Sequence, residues 1–144
     1  MRRAARAMPL SLLLVAAVIA PRSAFAGPND ADGLIAVAEA MNEFMEGKYD
    51  EGLGRLDDAL KACRGRACDA SVRAQIHMAV GILWGAGRAS LPEAKAAFER
   101  ALREDASTTL DRQWATKDVE KAFAQAKAAV KSAPTADFNR PGPT

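Results

Sequence analysis

Two cysteines and one histidine are the residues of this chain whose chemistry goes beyond charge and hydrogen bonding. Cys63 and Cys68 stand five apart around Arg64-Gly65-Arg66-Ala67, and His77 is the single histidine. On one continuous helix, positions five apart point about 140° away from each other and cannot bond. A turn at Gly65 brings them within disulfide reach, about 4.4–6.8 Å between Cα atoms. Closing so short a loop contributes roughly 2 kcal/mol in the chain-entropy view. The alternative is a redox-active pair. Such pairs usually have two intervening residues and a first thiol at a helix N-terminus, whereas Cys63 closes a helical segment. A c-type haem is excluded, because Asp69 follows Cys68 where that attachment needs histidine.

Other catalytic chemistries lack their parts. A zinc site needs three or four ligands, and Cys63, Cys68 and His77 supply at best three. No histidine stands at a recognisable spacing from a serine or cysteine nucleophile. No glycine-rich loop follows a strand, because no segment has the β-branched and aromatic enrichment of one. The carboxylates are spread over polar helix faces, where solvation is their ordinary role. The chain is therefore expected to be no enzyme, with no cofactor and no metal.

The elements that must position these residues are helical. Almost half the residues are hydrophobic and only 6% are aromatic. Many are alanine, which favours helices and lets their axes approach closely. Apolar residues recur at three and four through five segments. The first is about Asp32 to Glu46, with Leu34, Val37, Ala38, Met41, Phe44 and Met45 as its stripe. The second is about Tyr49 to Ala62, with Leu53, Leu56, Ala59 and Leu60 inward. The third is about Asp69 to Trp84, with Val72, Ile76, Ala79, Val80 and Leu83 on one side and a flexible turn at Gly85 and Gly87. The fourth opens at Ser90-Leu91-Pro92-Glu93, a capping-box pattern, and buries Ala94, Ala97, Phe98, Ala101 and Leu102. The fifth, capped by Thr116, runs to Lys131 with Val119, Phe123, Ala126 and Val130 inward. A Pro-rich tail, 132–144, is expected to be disordered.

The pair of helices between Ile35 and Leu60 contains Gly47-Lys48-Tyr49, Gly52, Leu56, Ala59 and Leu60. That spacing resembles the tetratricopeptide repeat, although Gly52 stands where the family prefers Ala. The second pair, with Gly81, Gly87, Ala94, Phe98, Ala101 and Leu102, resembles it too. Its turn is lengthened by Ala89-Ser90-Leu91, and Ala106 replaces the closing proline. The resemblance covers residues 32–106; an ordinary Ala-rich helical bundle would suit the same composition. It implies an all-α fold: a short right-handed α-solenoid of two hairpins with the fifth helix as its C-terminal cap, one domain over 32–131. It also implies a concave groove for a peptide or partner protein, lined by the first and third helices. Their non-core residues Asn42, Glu43, Arg73 and His77 are the candidate contacts. The family's peptide clamp uses Lys, Asn and Arg; Asn42 and Arg73, with Gln75 as a further polar residue, are an incomplete form of it.

Arg2, Arg3 and Arg6, the apolar run Leu10–Ala20, Pro21 and Ala24-Phe25-Ala26 before Gly27 form the pattern of a cleavable secretory signal over 1–26. Eleven helical residues reach about 16 Å, half of a ~30 Å bilayer core, so this is no membrane span. The Arg- and Ala-rich composition is that of high-GC bacteria, which makes the expected destination the periplasm or the exterior. The formal net charge of +2 comes from this segment. Without its four arginines, 16 basic residues face 18 acidic ones, a net of −2, which leaves no footprint for nucleic acid or anionic lipid. The expected function is a non-enzymatic protein-interaction scaffold of the bacterial envelope. The alternatives are a self-associating structural subunit and, more weakly, a thiol-redox protein using Cys63 and Cys68. Mass spectrometry of the exported protein should show a chain beginning at Gly27; a full-length mass would overturn the export reading.

Overall fold

A computed structural model describes residues 27–133; the expected leader and the tail beyond Ala133 lie outside the described residues. Five helices follow one another: α1 (Asp30–Met45), α2 (Tyr49–Ala62), α3 (Ala70–Ile82), α4 (Leu91–Glu104) and α5 (Lys117–Ser132). Among the described residues there is no strand, so the fold is all-α. The helix ends lie within two residues of those expected from periodicity.

Local chemistry sets several of these ends. Thr116 is extended, and its hydroxyl accepts from the Val119 N–H at 3.3 Å, which caps α5 as its residue type predicts. Ser90 behaves differently from the expected capping box. Its hydroxyl donates to the Glu93 carboxylate, and no backbone N–H of α4 reaches it. The α2–α3 turn places Gly65 at φ +65°, a conformation that costs glycine little. That turn brings Cys63 and Cys68 to 4.8 Å between Cα atoms, and they are joined as a disulfide.

The helices pack in sequence. α1 lies on α2, α3 lies on both α1 and α2, α4 lies on α3, and α5 lies on α4 and the end of α3. Two apolar clusters result. One gathers Ala40, Leu56, Val72, Ile76 and Leu83; the other gathers Phe98, Leu102, Val119, Ala122 and Ala126. α3 supplies both, because it is buried on several sides at once: Val72, Ala74, Ile76, Met78, Ala79, Gly81 and Ile82 are all buried. Its close approach to α4 requires a glycine. A Cβ at Gly81 would stand 2.3 Å from the Phe98 ring.

Two features differ from the expected pattern. The apolar residues of α1 do not share one buried stripe. Gly33 and Ala40 are buried, whereas Leu34 is 41% exposed and Met45 64%. The helix packs through its small residues and leaves the edge of the stripe open. The third helix also does not simply break at its glycines. It continues as a π-turn, Leu83–Gly87, in which the Arg88 N–H reaches the Leu83 carbonyl five residues back. The turn sets Gly85 against Val119 of α5.

Phe98 has no solvent exposure and meets the Phe123 ring edge-on at 5.4 Å between centroids. Phe98→Ala should cost about 3–5 kcal/mol, and the half-buried Phe123 should cost less when truncated. Urea denaturation of the two variants measures the difference.

Candidate functional site

The connector between α4 and α5 does more than join them. Asp105 accepts from the backbone N–H and the hydroxyl of Ser107, at 2.9 and 2.6 Å, and the Thr108 N–H closes on the Asp105 carbonyl. The two Ser107 bonds hold the Asp105 carboxyl below the usual carboxylate range. Farther on, Asp111 accepts from the Gln113 N–H at 3.0 Å and starts a 3₁₀ turn, Arg112–Trp114. The turn delivers the Trp114 ring to the far end of α1. There it meets Phe44 edge-on at 5.6 Å, and Phe44 in turn packs on Tyr49.

The connector thereby walls an inner groove between α1 and α3, with a cavity of about 230 Å³. Val37 and Met41 from α1, Met78 and Ile82 from α3, and Trp114 give it an apolar lining. Gln75, Thr108, Thr109 and Asp111 are its polar members, Asp111 being the one charge. Leu34, Ala38, Met41 and Met45 follow at spacings of four, three and four on α1, so the groove's apolar surface continues along one edge of that helix. Concave, mostly apolar walls with a few polar groups are the usual form of a binding site.

A second crevice lies on the opposite side of α3. It is lined by Leu53, Asp57 and Leu60 of α2, His77 and Val80 of α3, Trp84 and Arg100. At 100° per residue, Arg73 and His77 point away from Gln75 and Ile82. Arg73 is committed to the fold: it donates to the carbonyls of Gly65 and Cys68 and pairs with Glu104 of α4 at 2.8 Å. Glu43 turns toward α2, where Arg55 bridges it and Glu39. The Arg55 hydrogen bond holds its carboxyl below the usual range. Asn42 is exposed on α1. Thus Arg73 and His77 lie together on α3, Glu43 and Asn42 lie apart from them on α1, and none of the four lines the inner groove. Cys63 and Cys68 are buried in the first apolar cluster. Among the described residues no three His, Cys, Asp or Glu side chains converge as metal ligands do, and no helix is long and apolar enough to cross a membrane.

No protein-family model, curated protein or solved structure matches this chain. Its site therefore rests on its own geometry.

Of the groove residues, Val37 and Met41 fall in the expected α1 stripe, whereas Met78, Ile82 and Trp114 fall in none. One sequence signal distinguishes them: Met78 and Ile82 fall outside the stripe Val72, Ile76, Ala79, Val80 and Leu83, so α3 has apolar residues on more sides than one neighbour can cover.

His77 carries a pH consequence. Burial first, and the Arg100 charge second, push its pKa below the ordinary 6.5. Its Nδ1 is buried without a hydrogen-bond partner. The folded protein thus prefers the neutral ring. The associated stability is complete above the unfolded pKa of about 6.5 and is lost as pH falls through that value toward the lower folded one. Melting temperatures from pH 7.5 down to 5 should fall more steeply for the native protein than for His77→Gln; parallel curves would refute the assignment.

Proposed function

We propose that this protein is a non-enzymatic interaction module of the bacterial envelope that binds an apolar segment of a partner peptide or protein in the groove between α1 and α3. The observation that carries this reading is the groove itself. Val37, Met41, Met78, Ile82 and Trp114 meet there in a concavity, with Leu34 and Met45 exposed beside it. Exposed apolar side chains beside an apolar concavity are the surface that an apolar segment of a partner would cover.

In this reading α1–α2 and α3–α4 are two tetratricopeptide-like hairpins of a short right-handed solenoid, and α5 is its cap. The contact of α1 with α3 supports it, since first helices of successive hairpins adjoin in such stacks. So does the local packing at the motif residues. Tyr49 lies against Gly87, and a Cβ at Gly52, where the family prefers Ala, would come within 2.7 Å of Leu83. Export to an oxidising compartment agrees with the Cys63–Cys68 bond, since disulfides persist there and are rare in a reducing cytosol. A bonded pair buried among apolar side chains favours a structural role over a redox one.

One observation favours self-association as the second reading: Ile35, 55% exposed, extends the apolar surface of α1 away from the groove. The two readings separate by mutation. A partner recovered by crosslinking from the native envelope should bind Met41→Lys at least about tenfold more weakly, a loss of about 1.4 kcal/mol, while Ile35→Glu binds it normally. If Ile35→Glu instead dissolves an oligomer seen by sedimentation, and Met41→Lys leaves partner binding intact, self-association replaces the groove reading.

A further inference from the structure

The first described residues are tied to the disulfide loop by an unusual density of polar contacts. The Asn29 N–H donates to the Ala67 carbonyl and its side-chain amide to the Ala62 carbonyl, both at 2.9 Å. Asp30 uses both carboxylate oxygens. One accepts from the Asp69 N–H at the start of α3, and the other accepts from the Gly27 nitrogen, each at 2.7 Å. Gly27 itself lies on the loop backbone so closely that a Cβ would stand 2.6 Å from the Ala67 oxygen and from the Cys68 Cα. Rigid backbone cannot yield there as the tip of a flexible side chain would.

Gly27 is also the residue that follows Ala24-Phe25-Ala26, the expected cleavage signature. The two facts are independent. One comes from the small-residue pattern before the bond, the other from the packing after it. We propose that removal of residues 1–26 converts the Gly27 amide into an α-ammonium that pairs with the Asp30 carboxylate, so that processing itself adds the ionic contact that fastens α1 to the disulfide loop. This rests on the export reading above.

The chemistry favours the pair. A neutral N–H donor becomes a charged one, and charge-assisted hydrogen bonds are the stronger kind. Asp30 stays oriented by its second bond, to the Asp69 N–H, so the ammonium meets a carboxylate already in place. The charged groups around the nitrogen are Asp30 on α1, Asp69 at the start of α3, and Arg66 and Arg73, which line the hollow between Gly27 and the loop. Arg73 is held by the Gly65 and Cys68 carbonyls and by Glu104. The α1 dipole opposes a cation at its N-terminus, and the Asp30 and Asp32 carboxylates of the first turn offset it.

A pair of this kind raises the pKa of the amine above its ordinary value of about 7.7–8.0. The stability it adds is then fully present below that value and is lost as pH rises through the raised one. The full chain should be expressed with its leader, recovered after export, and its mass measured. A mass beginning at Gly27 is the expected result. A full-length mass fails the export reading, whereas a cut at any other bond leaves that reading standing and overturns the proposal, which needs the amine on Gly27. On the protein beginning at Gly27, NMR titration of the Gly27 α-amine should give a raised pKa. Asp30→Asn, which keeps an acceptor for the Asp69 N–H, should return it to the ordinary range. Asp32→Asn, an exposed neighbour, should leave it raised. The melting temperature should fall across the raised pKa in the native protein and stay flat there in Asp30→Asn. An ordinary pKa in the native protein, or a raised one that survives Asp30→Asn, overturns the proposal. The native titration alone decides the matter if Asp30→Asn does not fold.

Discussion

Everything in this domain depends on α3 being covered on more than two sides. It is the helix against which α1, α2 and α4 all lie, and a helix buried on many sides cannot be amphipathic in the ordinary sense. Its thirteen residues therefore divide among neighbours. Val72, Ile76 and Ala79 serve the first cluster, and Met78 and Ile82 the second. Gly81 admits the Phe98 ring, which no side chain there would allow without displacement. If α3 were shifted by one residue, each of these assignments would fail together. The positions of the inner groove and the outer crevice follow from the same helix: both are gaps left where its neighbours do not meet.

The ends of α3 are fixed by different means. At its start the constraint is covalent and polar. The disulfide closes the turn, Arg73 binds two of its carbonyls, and Asp30 holds the Asp69 N–H. Surface ion pairs contribute little singly, about 0–1 kcal/mol. Arg73 matters more than its ion pair with Glu104 suggests, because it also satisfies carbonyls of a turn that no helix can satisfy. The opposite end is held by packing: the π-turn lies between α4 and α5, with Leu83 and Gly85 buried. The helix is thus pinned chemically at one end and sterically at the other.

Much of this could be read from the chain. The five helices stood out because three-and-four periodicity survives in each, and the buried faces of α4 and α5 were correct residue by residue for Ala94, Ala97, Phe98, Ala101 and Val119. The cysteine pairing could be inferred from Gly65, the one residue between them that readily adopts positive φ. The candidate contacts were harder. Arg73 and His77 are polar residues on a mostly buried helix, and sequence cannot say whether such residues face a partner or the protein's own carbonyls and crevices. That depends on how α2 and α4 are rotated against α3, a tertiary matter. The wall made by Trp114 was equally hidden. A connector with no periodicity gives no hint that its hydrogen-bonded turns at Asp105 and Asp111 carry an indole ring back to α1. The α1 stripe misled in a simpler way, since periodicity marks an apolar edge without saying how much of its width a neighbour covers.

The π-turn gives the domain a counting rule. Five residues from Leu83 to Gly87 occupy a stretch in which the Arg88 N–H bonds one residue farther back than in an α-helix. Such a turn holds one residue more than regular helix would, and the chain after it leaves rotated by roughly 100° relative to an uninterrupted helix. Removing a single residue here would therefore do more than shorten a loop. It would let α3 continue as ordinary helix, swing Gly85 off Val119, and draw on the three-residue link 88–90 that leads to α4. In this protein the length of that one turn is a frame, and insertions or deletions tolerated elsewhere on its surface would not be tolerated there.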